Sequence, residues 1–304
     1  MAVTWLWAGF VLVMGVMLAF DLGVLQKKAH SMRVREAAIM VAFWWALALA
    51  FCAAVYFVYG QDKAFQFLAA YILEQSLSVD NLFVFILVFS FFNIEPDNQP
   101  RVLHWGILGA IAMRFIFIFA GISLLASSHL MFYLFGAILV WTGGKMLFAS
   151  EDDHPEPGKN PALRLLHRFL PVTTGTHGHV FFVRLNGVLH ATPLFAALVV
   201  IEATDLVFAV DSIPAALGVS SDLFVVYTSN IFAVMGLRSM YFLLAGSMTQ
   251  FKYLKTGVSA VLVFVGVKML IQGFFHVPTT WSLAIIGGTL GVSVAASLRA
   301  RAQS

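Results

Sequence analysis

Long apolar segments alternate with short polar connections along almost the whole chain. A helix that crosses the hydrocarbon core of a bilayer needs about 20 mostly apolar residues, and nine segments fit that length. They are residues 5–25, 38–59, 65–91, 102–125, 130–148, 191–214, 222–246, 256–274 and 279–298. The pattern predicts an all-α, polytopic helical membrane protein with about nine transmembrane helices.

Composition agrees with a protein that lives in lipid. Hydrophobic residues make up 61% of the 304 positions and charged residues 11%, whereas about 25% charged is normal for a soluble domain. The first segment has no basic residues before it and is too long for the apolar part of a signal peptide, so we expect it to be a span. The predicted parts are two N-terminal helices (1–64), a three-helix repeat (65–148), a cytoplasmic loop (149–190), a second repeat (191–276) and a C-terminal helix (277–304).

Basic residues predict the orientation of the nine spans. With the N-terminus outside and the C-terminus in the cytoplasm, Lys63 is the only lysine or arginine in an outer connection. The cytoplasmic ends and loops then hold Lys27, Lys28, Arg33, Arg35, Arg101, Lys145, Lys159, Arg164, Arg168, Arg184, Lys252, Lys255, Arg299 and Arg301. This bias follows the positive-inside rule, so the net charge of +3 reflects topology and does not indicate a nucleic-acid partner.

Two parts of the chain carry the same polar landmarks in the same order, an acid pair, an arginine and a lysine. The matching positions are Glu74 and Asp205, Asp80 and Asp211, Arg114 and Arg238, and Lys145 and Lys268. Each copy holds three spans, an odd number, so the second copy enters the membrane in the opposite orientation. Such inverted repeats place the substrate site of many secondary transporters near the midplane, often at broken helices. Pro214 lacks an N–H, so we expect the break near Asp211.

Charged side chains inside spans are costly and typically mark ion paths or ligand sites. The predicted spans contain six acids and three bases, which leaves three carboxylates in excess and favours a bound cation or proton. The acids are Asp21, Glu74, Asp80, Glu202, Asp205 and Asp211, and the bases are Arg114, Arg238 and Lys268. The single cysteine, Cys52, lies in a span, which excludes an internal disulfide and a thiolate metal site.

Helical spacing indicates which of these groups could meet. At 100° per residue, Asp80 and Asp211 project about 120° away from the upstream acids Glu74 and Asp205. We therefore expect Asp80 and Asp211 to face each other across the repeat interface, with Asn81 and Ser212 as neutral ligands. Glu74, Glu202 and Asp205 would complete the site or line the path. Such oxygen ligands suit Mg²⁺, Ca²⁺ or Mn²⁺.

Structural interpretations stay open beside the metal site. Asp80 and Asp211 could form salt bridges with Arg114 and Arg238 inside each repeat, and Asp21 lies near the end of its span. Lys268 could pair with an acid. The loop run 151–154 and the pair His177 and His179 could bind metal or be part of a solvated connector.

The residues around both acid pairs resemble a known family. The stretches Glu74-Gln-Ser-Leu-Ser-Val-Asp80-Asn81 and Asp205-Leu-Val-Phe-Ala-Val-Asp211-Ser212-Ile-Pro214 are similar to the TerC family of integral membrane proteins, and most of all to its Alx branch. The likeness covers residues 10–275. It implies manganese export in the LysE superfamily, in a family first associated with tellurium resistance, and it implies the bacterial inner membrane as the location.

The leading hypothesis is a secondary transporter, not an enzyme, that exports Mn²⁺ by alternating access and uses proton exchange as a natural driver. Mn²⁺ is the transported substrate, and no bound organic cofactor is expected. The expected partners are a divalent metal ion and the lipid bilayer, with no nucleic acid and with protein partners left open. The alternatives are export of another cationic solute, and a membrane scaffold for metal delivery that docks through residues 149–190.

Overall fold

The structure is a computed structural model that describes residues 2–25, 33–128, 130–148, 157–173, 175, 178–245, 253–275 and 277–303. Within these ranges it describes the side chains except those of residues 2–5, 18–25, 80, 83, 159 and 301–303. The described chain is almost entirely helical. Its helices are α1 (Ala2–Leu25), α2 (Val34–Tyr59), α3 (Gln61–Phe91), α4 (Gln99–Ser127), α5 (Leu130–Phe148), α6 (Pro161–Phe169), α7 (Pro193–Val219), α8 (Leu223–Met235), α9 (Leu237–Ala245), α10 (Leu254–Ile271) and α11 (Thr279–Gln303).

Every apolar segment predicted from the sequence corresponds to one of these helices or to the adjacent pair α8 and α9, with bounds that agree to within a few residues. Among the described residues, seven helices are long and apolar enough to cross a bilayer, and the bent pair adds an eighth if it is one span. In α1 the stretch Leu6–Met17 forms a shorter apolar helix. The polytopic helical membrane protein is confirmed, while the count of nine spans stays a prediction.

The second copy is broken at Gly236, and the expected break at Pro214 is wrong. Helix α7 continues through Pro214, because the loss of one backbone hydrogen bond is small beside the packing of a mostly buried helix end. The helices α8 and α9 instead meet at a bend of 40°. Gly236 between them packs against Trp44 and Gln75, and the buried Arg238 follows two residues later.

The connection 149–190 contains more structure than a solvated connector. Asn160 caps α6 by accepting a hydrogen bond from the backbone N–H of Ala162 at 2.9 Å, and proline at the first helical position is typical of a helix start. The strands β1 (Phe182–Leu185) and β2 (Val188–Ala191) pair antiparallel. Both turn residues, Asn186 and Gly187, have positive φ, as a tight two-residue hairpin requires.

The packing places four helices around the middle of the molecule. Helices α3 and α4 of the first copy both pack on α7 and α8 of the second. The longest helix contact joins α5 to α10, where a Cβ on Gly136 would lie 2.9 Å from the carbonyl oxygen of Gly266 and one on Gly143 would lie 2.8 Å from that of Ser259. The repeat alignment relates these two contacts to each other, since it matches 136 with 259 and 143 with 266. The inverted repeat itself stays a prediction.

Candidate functional site

Four buried polar side chains meet between the two halves of the chain. Glu74 comes from α3, Arg114 from α4, Asp205 from α7 and Asn230 from α8, and none is more than 4% exposed. Glu74, Arg114 and Asp205 lie about 20 Å from the start of their helices at 1.5 Å per residue, which is near the middle of a span. We call this group, together with Asn81, the buried charge centre.

Arg114 bridges the two acids. Its Nη1 donates to Glu74 and, at 2.7 Å, to the Asn230 amide oxygen. Its Nη2 forms an ion pair with Asp205 Oδ1 at 3.6 Å. The Asn81 amide donates to the same Asp205 oxygen at 3.4 Å. One guanidinium therefore links both halves of the molecule through separate nitrogen atoms. Its contact with each acid involves a single nitrogen and is not bidentate.

Several buried atoms of this region have no hydrogen-bond partner among the described residues. These atoms are Glu74 Oε2, Asp205 Oδ2, Arg114 Nε, Asn230 Nδ2, Ser78 Oγ and Ser212 Oγ. Ser78 shares a helix face with Glu74 at a spacing of four residues, and Ser212 lies on the face of Asp205 two turns further along α7. The centre thus holds two carboxylates that are each bound through one oxygen, with hydroxyl groups on the same faces.

This arrangement differs from a salt bridge that serves only stability. Removing a carboxylate from water costs several kcal/mol, and a buried pair repays this only when its remaining lone pairs are also satisfied. Here one oxygen of each acid has no donor within the part of the chain that the structure describes. By formal count, two carboxylates and one guanidinium leave one negative charge in excess, so the residue types and the open oxygens of the centre suit a cation.

Asp211 contacts α5, and its expected pairing with Asp80 stays a prediction. Thr142 Oγ1 donates to Asp211 Oδ1 at 3.0 Å, and the side chain of Asp211 is half-buried. Asp80 lies in α3, and its side chain is outside the described residues. The acids that meet at the repeat interface are Glu74 and Asp205, because the helix pair α3 and α7 turns those faces toward each other. Arg114, the arginine of the first copy, binds these two acids.

Glu202 lies one helical turn before Asp205 and packs against α4. Its carboxylate lies so close to Gly109 that a Cβ there would overlap with it. Glu202 has no hydrogen bond or ion pair within the described part of the chain. A glycine on α4 therefore makes room for a third acid next to the buried charge centre.

A second polar region lies where α3 begins and α7 and α10 end. This cavity of about 670 Å³, the polar vestibule, is lined by Asp62, Lys63, Gln66, Ser220, Asp222, Lys268 and Gln272. Lys63 pairs with Asp222 at 2.7 Å, and Ser220 and Gln66 hydrogen-bond at 2.6 Å. Lys268 thus lines the vestibule with Asp62 and Asp222 and is remote from the buried acids.

The structure describes only some of the other predicted site residues. Arg238 is buried in α9. The side chain of Asp21, the acidic run 151–154 and His177 lie outside the described residues, while the ring nitrogen Nδ1 of His179 contacts the side-chain oxygen of Asn98.

A full set of metal ligands is not assembled by the described side chains. Among them, no three His, Cys, Asp or Glu residues come together as a metal-binding group. The two acids of the buried charge centre are linked by Arg114, and Asn81 donates to one of them.

Sequence reasoning missed Asn230, Gly109 and the role of Thr142. Asn230 ends the polar run 228–230 inside a predicted span, which is itself a signal for a buried polar contact. Gly109 has no side chain, so its role of making room for Glu202 is visible only in the packing of the structure. Thr142 is one of many threonines and becomes notable only because α5 lies beside α7.

The fold and the buried charge centre define a polytopic membrane protein with a charged site between two halves. The TerC family, described as "Integral membrane protein TerC family", matches residues 59–304. The chain belongs to this family, as the resemblance in its acid motifs predicts.

Several relatives are similar over most of the chain. "Uncharacterized membrane protein STKORF319" of Myxococcus xanthus is 50% identical over 96% of this chain and 92% of its own. "Putative membrane-bound redox modulator Alx" of Escherichia coli (strain K12) is 44% identical over 94% and 91%. "Thylakoid membrane protein TERC, chloroplastic" of Arabidopsis thaliana is 46% identical over 79% and 62%. No solved structure matches the chain.

Proposed function

We propose that this protein is a secondary transporter that exports a divalent cation, Mn²⁺, from the cytoplasm by alternating access. The observation that supports this most is the pair of buried acids Glu74 and Asp205 at the interface between the two halves, each with one oxygen that has no hydrogen-bond partner among the described residues. Two carboxylates neutralise a divalent ion, and neutrality lowers the cost of holding it in a low-dielectric interior. Carboxylate, amide and hydroxyl oxygens are the ligands that hard divalent cations prefer.

The path toward this site follows the acids of α7. Glu202 lies about 4.5 Å before Asp205 along the helix, and Asp211 lies about 9 Å after it, at 1.5 Å per residue. Both are only partly buried, so they can take part in the entry and exit of a cation while Asp205 stays enclosed. The location we propose is the bacterial inner membrane, with the N-terminus outside and the polar vestibule facing outward.

Redox modulation, which the name of the Alx relative states for that protein, would be indirect in this chain. Cys52 is the only cysteine, and a thiol–disulfide couple within one chain needs two. A transporter that sets the level of a redox-active metal can change the redox state of the cell without thiol chemistry of its own.

Flux of Mn²⁺ into proteoliposomes tests the proposal. We expect Glu74→Gln and Asp205→Asn each to reduce the flux to that of protein-free liposomes, because each removes a charge that the ion needs. Glu36→Gln is the matched control, since Glu36 is an exposed acid at the start of α2, and it should keep the wild-type flux. Normal flux in both Glu74→Gln and Asp205→Asn would refute the proposal. The same assay on Asp80→Asn and Asp211→Asn tests the pair favoured by the sequence.

A second candidate function, a membrane scaffold that delivers metal to other proteins, is favoured by the hairpin. Apolar side chains of both strands are exposed, namely Phe182, Leu185, Val188 and Leu189. Replacing Val188 and Leu189 by serine separates the two functions. If the protein is a transporter, this variant keeps the Mn²⁺ flux and the effect on cellular manganese. If it is a scaffold, the variant loses the cellular effect, and neither it nor the wild type carries Mn²⁺ in proteoliposomes.

A further inference from the structure

Arg114 occupies the position between the two acids that a divalent cation would also occupy. We infer that Arg114 is an internal competitor of the transported cation, so that the guanidinium and the ion bind Glu74 and Asp205 in turn. This inference rests on the proposed function, and it assigns to Arg114 the control of cation affinity and release.

The contacts of Arg114 are those of an exchangeable partner. It reaches each acid through a single nitrogen, its Nε donates to nothing among the described residues, and the contact with Asp205 is 3.6 Å long. A structural arginine in a buried pair typically grips one carboxylate through two parallel hydrogen bonds, which is the strongest geometry for such a pair. Arg114 instead shares one positive charge between two acids.

Asn230 provides the alternative partner that an exchange requires. Its amide oxygen already accepts from Arg114 at 2.7 Å, and it comes from α8, not from the helices that carry the acids. When a cation binds Glu74 and Asp205, Arg114 can keep this hydrogen bond and give up the two carboxylates. The buried guanidinium is then never without an acceptor.

Competition also explains how a site with two unscreened carboxylates can release its ion. Close charge pairs in a desolvated setting attract each other strongly, so two carboxylates without a competing base would hold a divalent cation tightly. The return of Arg114 replaces part of that attraction, so the acids do not stay unpaired when the cation leaves. Arg114 therefore weakens binding and speeds turnover.

The experiment compares wild-type protein with Arg114→Gln, Arg114→Lys and Lys63→Gln, each purified with MnCl₂ that is then removed. The readout is the rise in unfolding temperature as Mn²⁺ is added back, which gives an apparent affinity for each variant, together with Mn²⁺ flux in proteoliposomes. We expect Arg114→Gln to bind Mn²⁺ about tenfold more tightly or better and to carry it more slowly. Arg114→Lys keeps the charge and should stay near the wild type. Lys63→Gln removes a charge at the protein surface and should leave Mn²⁺ affinity unchanged.

The outcomes separate the two proposals. Wild-type flux together with equal or weaker Mn²⁺ affinity in Arg114→Gln would overturn the competitor role and leave the transporter intact. A rise in affinity in Lys63→Gln as large as in Arg114→Gln would also overturn it, because a general charge effect would then explain both. The absence of Mn²⁺ flux and of any Mn²⁺ effect in the wild type would overturn the transporter and this inference with it. Because the affinity is read from a shift relative to each variant's own unfolding temperature, a destabilised Arg114→Gln still gives an answer.

Discussion

The buried charge centre and the polar vestibule both pair acids with bases, yet their hydrogen-bond networks differ in completeness. In the vestibule, the carboxylate of Asp222 accepts hydrogen bonds from Lys63 at 2.7 Å and from the backbone N–H of Phe224 at 2.9 Å. The side chains of Lys63 and Asp222 are both about one-third exposed. In the buried charge centre, Glu74 and Asp205 are almost fully enclosed, and each has an oxygen to which no described side chain or backbone group donates.

This difference indicates two uses of the same chemistry. An exposed pair costs little to form and contributes little, because water already solvates both partners. Asp222 has a local structural task as the cap of α8. A buried pair costs several kcal/mol in desolvation, so an incomplete set of hydrogen bonds there is typical of a site that binds something else. Completeness of hydrogen bonding, more than the presence of charge, separates structure from function in this molecule.

Replacing the basic residue of each region, Arg114 or Lys63, should give the largest difference in the free energy of unfolding. Arg114→Ala should lower the free energy of unfolding by about 3–5 kcal/mol, because it leaves buried acids without their cation. Lys63→Ala should lower it by at most about 1 kcal/mol, as exposed pairs do. Unfolding in mixed detergent micelles without divalent cations measures both. Similar losses in the two variants would show that the two regions do not differ in energy as described.

Changes at Asp222 sharpen the comparison at the vestibule. Asp222→Ala removes the cap of α8 and should cost about 1–2 kcal/mol, whereas Asp222→Asn keeps an oxygen for the cap and should cost about half as much. The ion pair with Lys63 should contribute less to the free energy of unfolding at 1 M salt, where the screening length falls to about 3 Å. The same unfolding assay at low and high salt checks this. An equal cost for both variants would assign the whole effect to the ion pair.

A substitution at Gly109 should change transport with little change in stability. A Cβ at this position overlaps with the Glu202 carboxylate, which sits at the end of a flexible side chain and can move aside. We expect Gly109→Ala to reduce Mn²⁺ flux several-fold and to change the free energy of unfolding by less than about 1 kcal/mol, the scale of a glycine-to-alanine change in a helix. Gly144→Ala is the control, because nothing lies within 4 Å of the new Cβ. Unchanged flux in Gly109→Ala would remove Glu202 from the path.

The sequence predicted the helices and the acids better than the contacts between them. Nine apolar segments are long enough to identify singly, since lipid forces the backbone to satisfy its own hydrogen bonds. The intramembrane acids are visible because charge is rare in such segments. Which acids meet depends on the rotation of each helix about its axis, and tertiary packing sets that rotation. Helical spacing alone therefore favours Asp80 and Asp211, and it does not reveal that packing brings Glu74 and Asp205 together around Arg114.

The connection 149–190 and the bend between α8 and α9 also show that local sequence signals do not determine tertiary structure. The turn Asn186-Gly187 was a local hairpin signal in a segment too polar to form a span, and the prediction treated the segment as one loop. Pro214 was a local break signal that packing overrode. Gly236 gave no comparable signal, because a glycine in a helix is common and its effect depends on Trp44 and Gln75 beside it.

The glycine contact between α5 and α10 has a mechanical consequence. The backbones of α5 and α10 are in direct contact at Gly136 and Gly266. Because no side chain lies between them, a change of rotamer cannot alter the spacing of these two helices, and they form a rigid pair. Thr142 immediately precedes Gly143, the second glycine of this contact, and it holds Asp211 of α7. A displacement of α7 relative to α5 would lengthen or break this hydrogen bond, so the distance between Thr142 and Asp211 would report on such a displacement.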